Sequence, residues 1–222
     1  MQLHYDPIAT TCRPVMLFVH EHDLPIELVL TEIMAGETRT ETFLAINPNG
    51  AVPVLVDGDF ALTECSAILK YLADVAGSPT YPAEQRARAR VNAVMDWFNT
   101  GVYRDLGVHY AYPKIFPEGF AALPSTLAEM AASGVAHASK HLTVLDRHML
   151  GEAPYVCGAD VSLADYLGAV YVGLGVAAGF DLAPWPNVAA WLARMGRRSA
   201  WDEANAAFAG FLASRRQLAA IG

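Results

Sequence analysis

The hydrophobic and polar positions follow two different rhythms along the chain. Up to about residue 80 the apolar residues come in short runs parted by turn-forming ones, and the period changes from run to run. Gln2–Tyr5 predicts a strand. A turn-rich stretch, residues 6–11, leads into helical apolar spacing over 15–21, and Glu27–Leu30 predicts a second strand. Residues 40–46 predict a short helix stopped at Asn47-Pro48. Asp57-Gly58 stands between residues 54–56 and 59–62. That pattern predicts a two-residue hairpin, because both central positions of such turns favour positive φ. Thr63 is placed to cap a helix over 64–76, ended by Gly77 and Pro79. The order is β-α-β, then α, then β-β-α.

Beyond Pro82 the strand signals stop and the helical period takes over. Residues 83–107 and 125–150 have helical apolar spacing, with Pro113, Pro117 and Pro124 breaking the chain between them. Ser162 and Asp165 are spaced as a variant of the capping box. The helix they open is too apolar to lie on a surface and is expected at the centre of a helical domain. Residues 186–197 and 200–211 predict further helices. The expected fold class is therefore α/β plus all-α, with one domain over residues 1–78 and an all-helical one over 84–222.

Composition narrows the function. At 54% hydrophobic and 17% charged, the 222-residue chain can bury a sizeable core without disulfides or a structural metal. Fifteen Lys and Arg against 23 Asp and Glu leave a net charge of −8, which argues against a nucleic-acid or anionic-membrane surface. Three cysteines at no metal-like spacing suit a reducing compartment. The uncharged run over 166–180 is too short for a bilayer span, which needs about 20 residues. The opening residues do not read as a signal peptide. A cytoplasmic protein is expected.

Several local features stand in register with one family. They are Asn47-Pro48 followed by Val52-Pro53-Val54-Leu55, the segment Leu62-Thr63-Glu64-Cys65-Ser66-Ala67-Ile68, and Ser162-Leu163-Ala164-Asp165. Ala9-Thr10-Thr11-Cys12-Arg13 is similar to the Ser-x-x-Cys-Arg active-site segment of theta and delta enzymes. Together these resemble the cytosolic glutathione transferase superfamily over nearly the whole chain. The resemblance implies a thioredoxin-like first domain, glutathione as co-substrate, no metal, a small hydrophobic electrophile as second substrate, and a homodimer.

The residues support that chemistry in different ways. The start of a helix at Glu64-Cys65 offers free N–H groups and a positive dipole end to a carboxylate, and the acid beside it can take an ammonium group. The γ-glutamyl end of glutathione carries both. The family has serine where Cys65 stands, so one side-chain hydrogen bond is weakened. The resemblance implies a cis bond at Val52-Pro53, with the Val52 backbone pairing to the cysteinyl part of glutathione like an added strand. It also places Thr38, Arg39 and Asn49 at the glycine end. The family's activating serine falls on Ala9, which has no donor. Thr11, and next Thr10, are expected to supply a displaced hydroxyl or a backbone N–H that lowers the thiol pKa.

Cys12 beside Arg13 at a helix start admits a second reading, a redox thiol forming a mixed disulfide with glutathione and serving disulfide or peroxide reduction. The family's cysteine enzymes place that residue at the Ala9 position instead, so a packed cysteine is expected. The absent donor at Ala9 admits a third reading, a non-catalytic binding protein of this fold. For the electrophile, Tyr103, Leu106, Tyr110 and Tyr112 are expected to form an aromatic wall with polar tips, and Phe208 and Phe211 to close it. His137 and His141 lie one helical turn apart without a third ligand in register, so they are expected on a solvated face.

Overall fold

The computed structural model describes residues 1–119 and 124–221. The chain divides into two compact units, one of residues 1–78 with 198–214 and one of residues 79–197 with 215–222.

The first unit is built on a four-stranded sheet. β1 (Gln2–Tyr5) is followed by α1 (Arg13–Glu21), β2 (Glu27–Leu30), a single 3₁₀ turn (Glu37–Arg39), α2 (Glu41–Ile46), β3 (Val54–Asp57), β4 (Phe60–Thr63) and α3 (Cys65–Val75). The strand order is β2-β1-β3-β4, with β2 parallel to β1 and the other pairs antiparallel. This is the thioredoxin-like arrangement, with a β-α-β half and a β-β-α half joined through β1 and β3. Leu3, Val54 and Leu55 on the sheet and Val15, Leu17, Phe18, Ile68, Leu69 and Leu72 on α1 and α3 have no exposed surface. Burying such side chains supplies about 1.5–3 kcal/mol each.

Two local expectations need correction. The hairpin turn is Gly58-Asp59, since Asp57 pairs with Phe60, so the strands reach one residue further than the pattern predicts. Gly58 takes φ +63 at the first central position, a region that favours glycine. Thr63 does not cap α3 but ends β4, and the capping position is Glu64, at φ +70 and ψ 117. A side chain rarely adopts that conformation, and Glu64 makes no capping hydrogen bond there in return.

The second unit is helical. α4 (Gln85–Trp97) continues into a π-helical stretch, Phe98–Ala111, and then α5 (Tyr112–Ile115). Pro113 does not break this run, which keeps helical backbone through Ala111 and Tyr112 and continues to Ile115. α6 (Pro124–Val144) continues through Leu145–Leu150, followed by α7 (Leu163–Ala177) and α8 (Pro186–Met195), whereas α9 (Trp201–Ile221) belongs to the first unit as far as residue 214. α7 is buried along most of its length. The Asp165 carboxylate ties its start, accepting from the Ser162 N–H at 2.8 Å, the Ser162 hydroxyl at 2.9 Å, the Val156 N–H at 3.0 Å and the Trp191 indole at 2.8 Å.

Residues 198–214 of the C-terminal stretch, read from sequence with the helical half, cluster with the sheet unit. Arg13 donates to Asn205 Oδ1 at 2.8 Å and its guanidinium lies 4.0 Å from the centre of the Phe208 ring. Arg198 donates through Nε to Glu21 at 2.8 Å and through Nη2 to the other carboxylate oxygen. No described helix is long and apolar enough to cross a membrane.

Candidate functional site

The turn ahead of α1 is held from beneath by Asp6. This buried carboxylate accepts from the Ile8 N–H at 3.0 Å and the Ile33 N–H at 2.9 Å, and the Asp6 carbonyl accepts from the Ala9 N–H at 3.0 Å. The Ala9 carbonyl in turn accepts from the N–H groups of Cys12 and Arg13. Asp6 carried no sequence signal beyond its place in a turn, and only the fold shows its role. Thr10 is buried at 4% exposure. Thr11 is half-buried, and its hydroxyl donates to the Val52 carbonyl at 3.1 Å.

Cys12 occupies the position before α1 and is fully buried. Burial pushes its thiol up to about 12, against smaller lowering by an Asp6 backbone hydrogen bond and by Arg13. Such a thiol is neither ionised nor reachable at neutral pH. The redox reading of Cys12 therefore finds no support in its surroundings.

The Val52–Pro53 peptide bond is cis, as the resemblance implies. β3 and β4 pair Val54 with Thr63, so the register places the Val52-Pro53 segment directly beside Glu64-Cys65. Glu64 is exposed, whereas the Cys65 side chain is 6% exposed and its thiol is raised well above the ordinary range, first by burial and then by Cys12 and Glu64. The Cys65 thiol thus faces the core. What remains at this position for binding chemistry is its main-chain N–H at the positive end of α3, where a carboxylate could be held.

The remaining residues gather around Gly50, which the sequence reading did not single out. Gly50 has φ +61, and a β-carbon there would stand 2.7 Å from Arg39 Nη1 and 3.0 Å from the Thr38 carbonyl. The loop before Val52 is shaped by buried Asn47, which donates to the Ala51 carbonyl at 2.7 Å and accepts from the Asn49 N–H at 3.1 Å. Thr38 is buried, and Arg39 and Asn49 are exposed. The first unit therefore brings Thr11, Thr38, Arg39, Asn49, Val52, Pro53, Glu64 and Cys65 together through three links: Thr11 to Val52, Gly50 to Thr38 and Arg39, and β3 to β4.

The aromatic residues of the helical unit separate into two groups. Tyr103 and Tyr112 are half-buried with hydroxyls 2.7 Å apart, and the Tyr103 ring stacks on Tyr171 at 4.5 Å. Tyr110 is buried edge-on to Phe180 at 5.2 Å, with Lys114 Nζ 3.8 Å from its ring centre. Leu106 has no exposed surface and packs where a β-carbon on Gly175 would stand 2.5 Å from its Cγ. Leu106 is core rather than the wall of a pocket, because the missing side chain at Gly175 lets the two helices close over it. Phe208 likewise is buried under Arg13 in the first unit.

His141 also differs from expectation. Instead of facing solvent, its Nε2 lies 3.0 Å from Asp105, whose carboxylate is 1% exposed and takes two further bonds from Arg104 at 2.8 and 2.9 Å. Burial raises the Asp105 carboxyl, but hydrogen bonds and charge from Arg104 and His141 together outweigh it and hold it below its ordinary value. Among the described residues no three His, Cys, Asp or Glu side chains group as metal ligands.

Known proteins place this geometry. The family model described as glutathione S-transferase, N-terminal domain, matches residues 3–80. Human glutathione S-transferase theta-2 is 31% identical over 198 residues, covering 88% of this chain and 80% of that protein. The crystal structure of human theta-2 in complex with glutathione superposes with a TM-score of 0.85 at 28% identity, covering 97% of this chain and 90% of that one. The human theta-class enzyme in complex with the glutathione conjugate of 1-menaphthyl sulfate gives 0.86 at 29% identity, covering 98% and 89%. With the fold, the loop around Gly50 and the start of α3 already in place, these likenesses show that the chain belongs to the glutathione S-transferase family, on its theta-class side.

Proposed function

We propose that this protein is a glutathione transferase that binds glutathione on its first unit and activates it as a thiolate for attack on a hydrophobic electrophile. The observation that carries the reading is the meeting of three ligand-facing elements within one unit. They are the Val52-Pro53 segment, the start of α3 at Glu64-Cys65, and the turn of Thr10 and Thr11. The Val52 backbone pairs with the cysteinyl residue, Glu64 and the Cys65 N–H take the γ-glutamyl ammonium and carboxylate, and Arg39, with Thr38 and Asn49, takes the glycine carboxylate.

A free thiol has a pKa near 8.5. Lowering it by about two units, roughly 2.7 kcal/mol, makes the thiolate the main species at neutral pH. The sulfur lone pair then forms the S–C bond, and the leaving group departs with the electron pair of the bond it breaks. Tyr103 and Tyr112, joined through their hydroxyls, are the helical unit's polar aromatic groups for the electrophile. The same reading takes the protein to act as a homodimer in the cytoplasm.

The test is an ultraviolet titration of bound glutathione, with conjugation measured against an aryl halide and a benzylic sulfate. A bound thiol pKa at least one unit below that of free glutathione, with conjugate formed, is the expected result. Binding with an unshifted pKa and no conjugate would leave a carrier of this fold and sink the transferase reading.

A further inference from the structure

The hydroxyl of Thr11 is already committed. It donates to the Val52 carbonyl at 3.1 Å, and a hydroxyl has one proton to give. A carbonyl oxygen has two lone pairs, so Val52 can hold the Thr11 hydroxyl and still accept from the cysteinyl N–H of glutathione. The bond joins the turn ahead of α1 to the segment that receives the peptide, across 41 residues of sequence.

The main chain of the same turn is the opposite case. The N–H groups of Ala9, Cys12 and Arg13 all donate within the turn. Among the described residues no acceptor meets the N–H of Thr10 or of Thr11. These two consecutive donors precede the nine-residue helix α1, at the positive end of its dipole. Ala9 has no donor of its own, and Cys12 holds its proton within the core.

We infer that the glutathione thiolate is received by the backbone N–H groups of Thr10 and Thr11, and that the Thr11 hydroxyl is a positioning group that fixes the Val52 carbonyl. The inference rests on the glutathione reading above and assigns its donor. The thiol proton leaves to solvent, and the sulfur anion is stabilised by two fixed dipoles instead of a side-chain hydroxyl. Ala9 is then compatible with activity, because the donor set lies in the main chain.

The experiment uses the full-length protein labelled with ¹⁵N-threonine, titrated with pH in the presence of glutathione or of S-methylglutathione, which has no ionisable thiol. The Thr10 and Thr11 amide protons should move downfield with the ionisation of bound glutathione and not move with pH in the S-methyl complex. In parallel, Thr11→Val should weaken glutathione binding about fivefold while the bound thiol pKa stays within about 0.3 units of the wild type, and Thr11→Ser should restore affinity. Amide shifts independent of thiol ionisation, or a thiol pKa raised by a unit or more in Thr11→Val, overturn the inference and return the hydroxyl to the thiolate. No response to either tripeptide overturns the glutathione reading as well. The amide titration stands on the wild-type protein even if a variant fails to fold.

Discussion

Gly50 and Arg39 approach so closely that a β-carbon on the glycine would stand 2.7 Å from the guanidinium Nη1. The Thr38 carbonyl lies on the same side at 3.0 Å, and the φ of +61 is one that side chains seldom adopt. Gly50→Ala is therefore expected to destabilise the protein by about 1–2 kcal/mol. It should also weaken glutathione binding, because Arg39 and Thr38 must move. Urea unfolding and calorimetric binding measure the two effects, and a variant with unchanged stability and affinity would count against this account of the loop.

Glu64 presents the reverse trade. It holds φ +70 at the head of α3 without a capping bond, so its conformation costs stability, and in the proposed function its exposed carboxylate meets the glutathione ammonium. Glu64→Gly should stabilise the fold by about 0.5–1 kcal/mol, the relief of strain less the entropy of glycine, and should lower the affinity for glutathione. Unchanged affinity would remove Glu64 from the site.

Asp105 sets an acid dependence. Its folded carboxyl is held below its ordinary value, so it stabilises the native state above the ordinary carboxylate range, and the contribution is lost as pH falls through the lowered folded value. Asp105→Asn is expected to cost about 2 kcal/mol at pH 7, discounted for the half-exposed Arg104. The gap to wild type should narrow as the pH falls through the lowered folded value. Equal denaturant midpoints at pH 7 would show that the buried cluster carries no net stability.

The three cysteines should differ sharply towards a thiol reagent. Cys12 and Cys65 are buried with raised thiols, and Cys157 is half-buried, raised first by burial. In the native protein at pH 8, Cys157 alone is expected to react, and slowly, whereas all three react in denaturant. Fast native modification of Cys12 would revive the redox reading.

Much of the fold was legible because its signals are local. The strands Gln2–Tyr5 and Glu27–Leu30 occupy the predicted residues, and residues 40–46 form α2 with its Thr40 cap, whose side chain accepts from the Phe43 N–H. The hairpin shifted by one residue, since a turn's register depends on strand pairing as well as on the dipeptide. Leu106 was misplaced because helical spacing marks an apolar residue without saying which neighbour covers it. Only the missing side chain at Gly175, distant in sequence, decides that.

Read alone, the sequence carries the strand-bearing stretch and the helices that follow it, the family, and the segments proposed to make a glutathione site. Those properties reside in periodicity and in short motifs. The tertiary structure alone decided what each segment offers: that the Thr11 hydroxyl is spent on Val52 while two N–H groups of its turn remain open, that Cys12 and Cys65 turn their thiols inward, and that Gly50 lets Arg39 close on the loop. Each of these depends on a partner distant in sequence, and the geometry of a hydrogen bond or a close contact exists only once the chain has brought the two together.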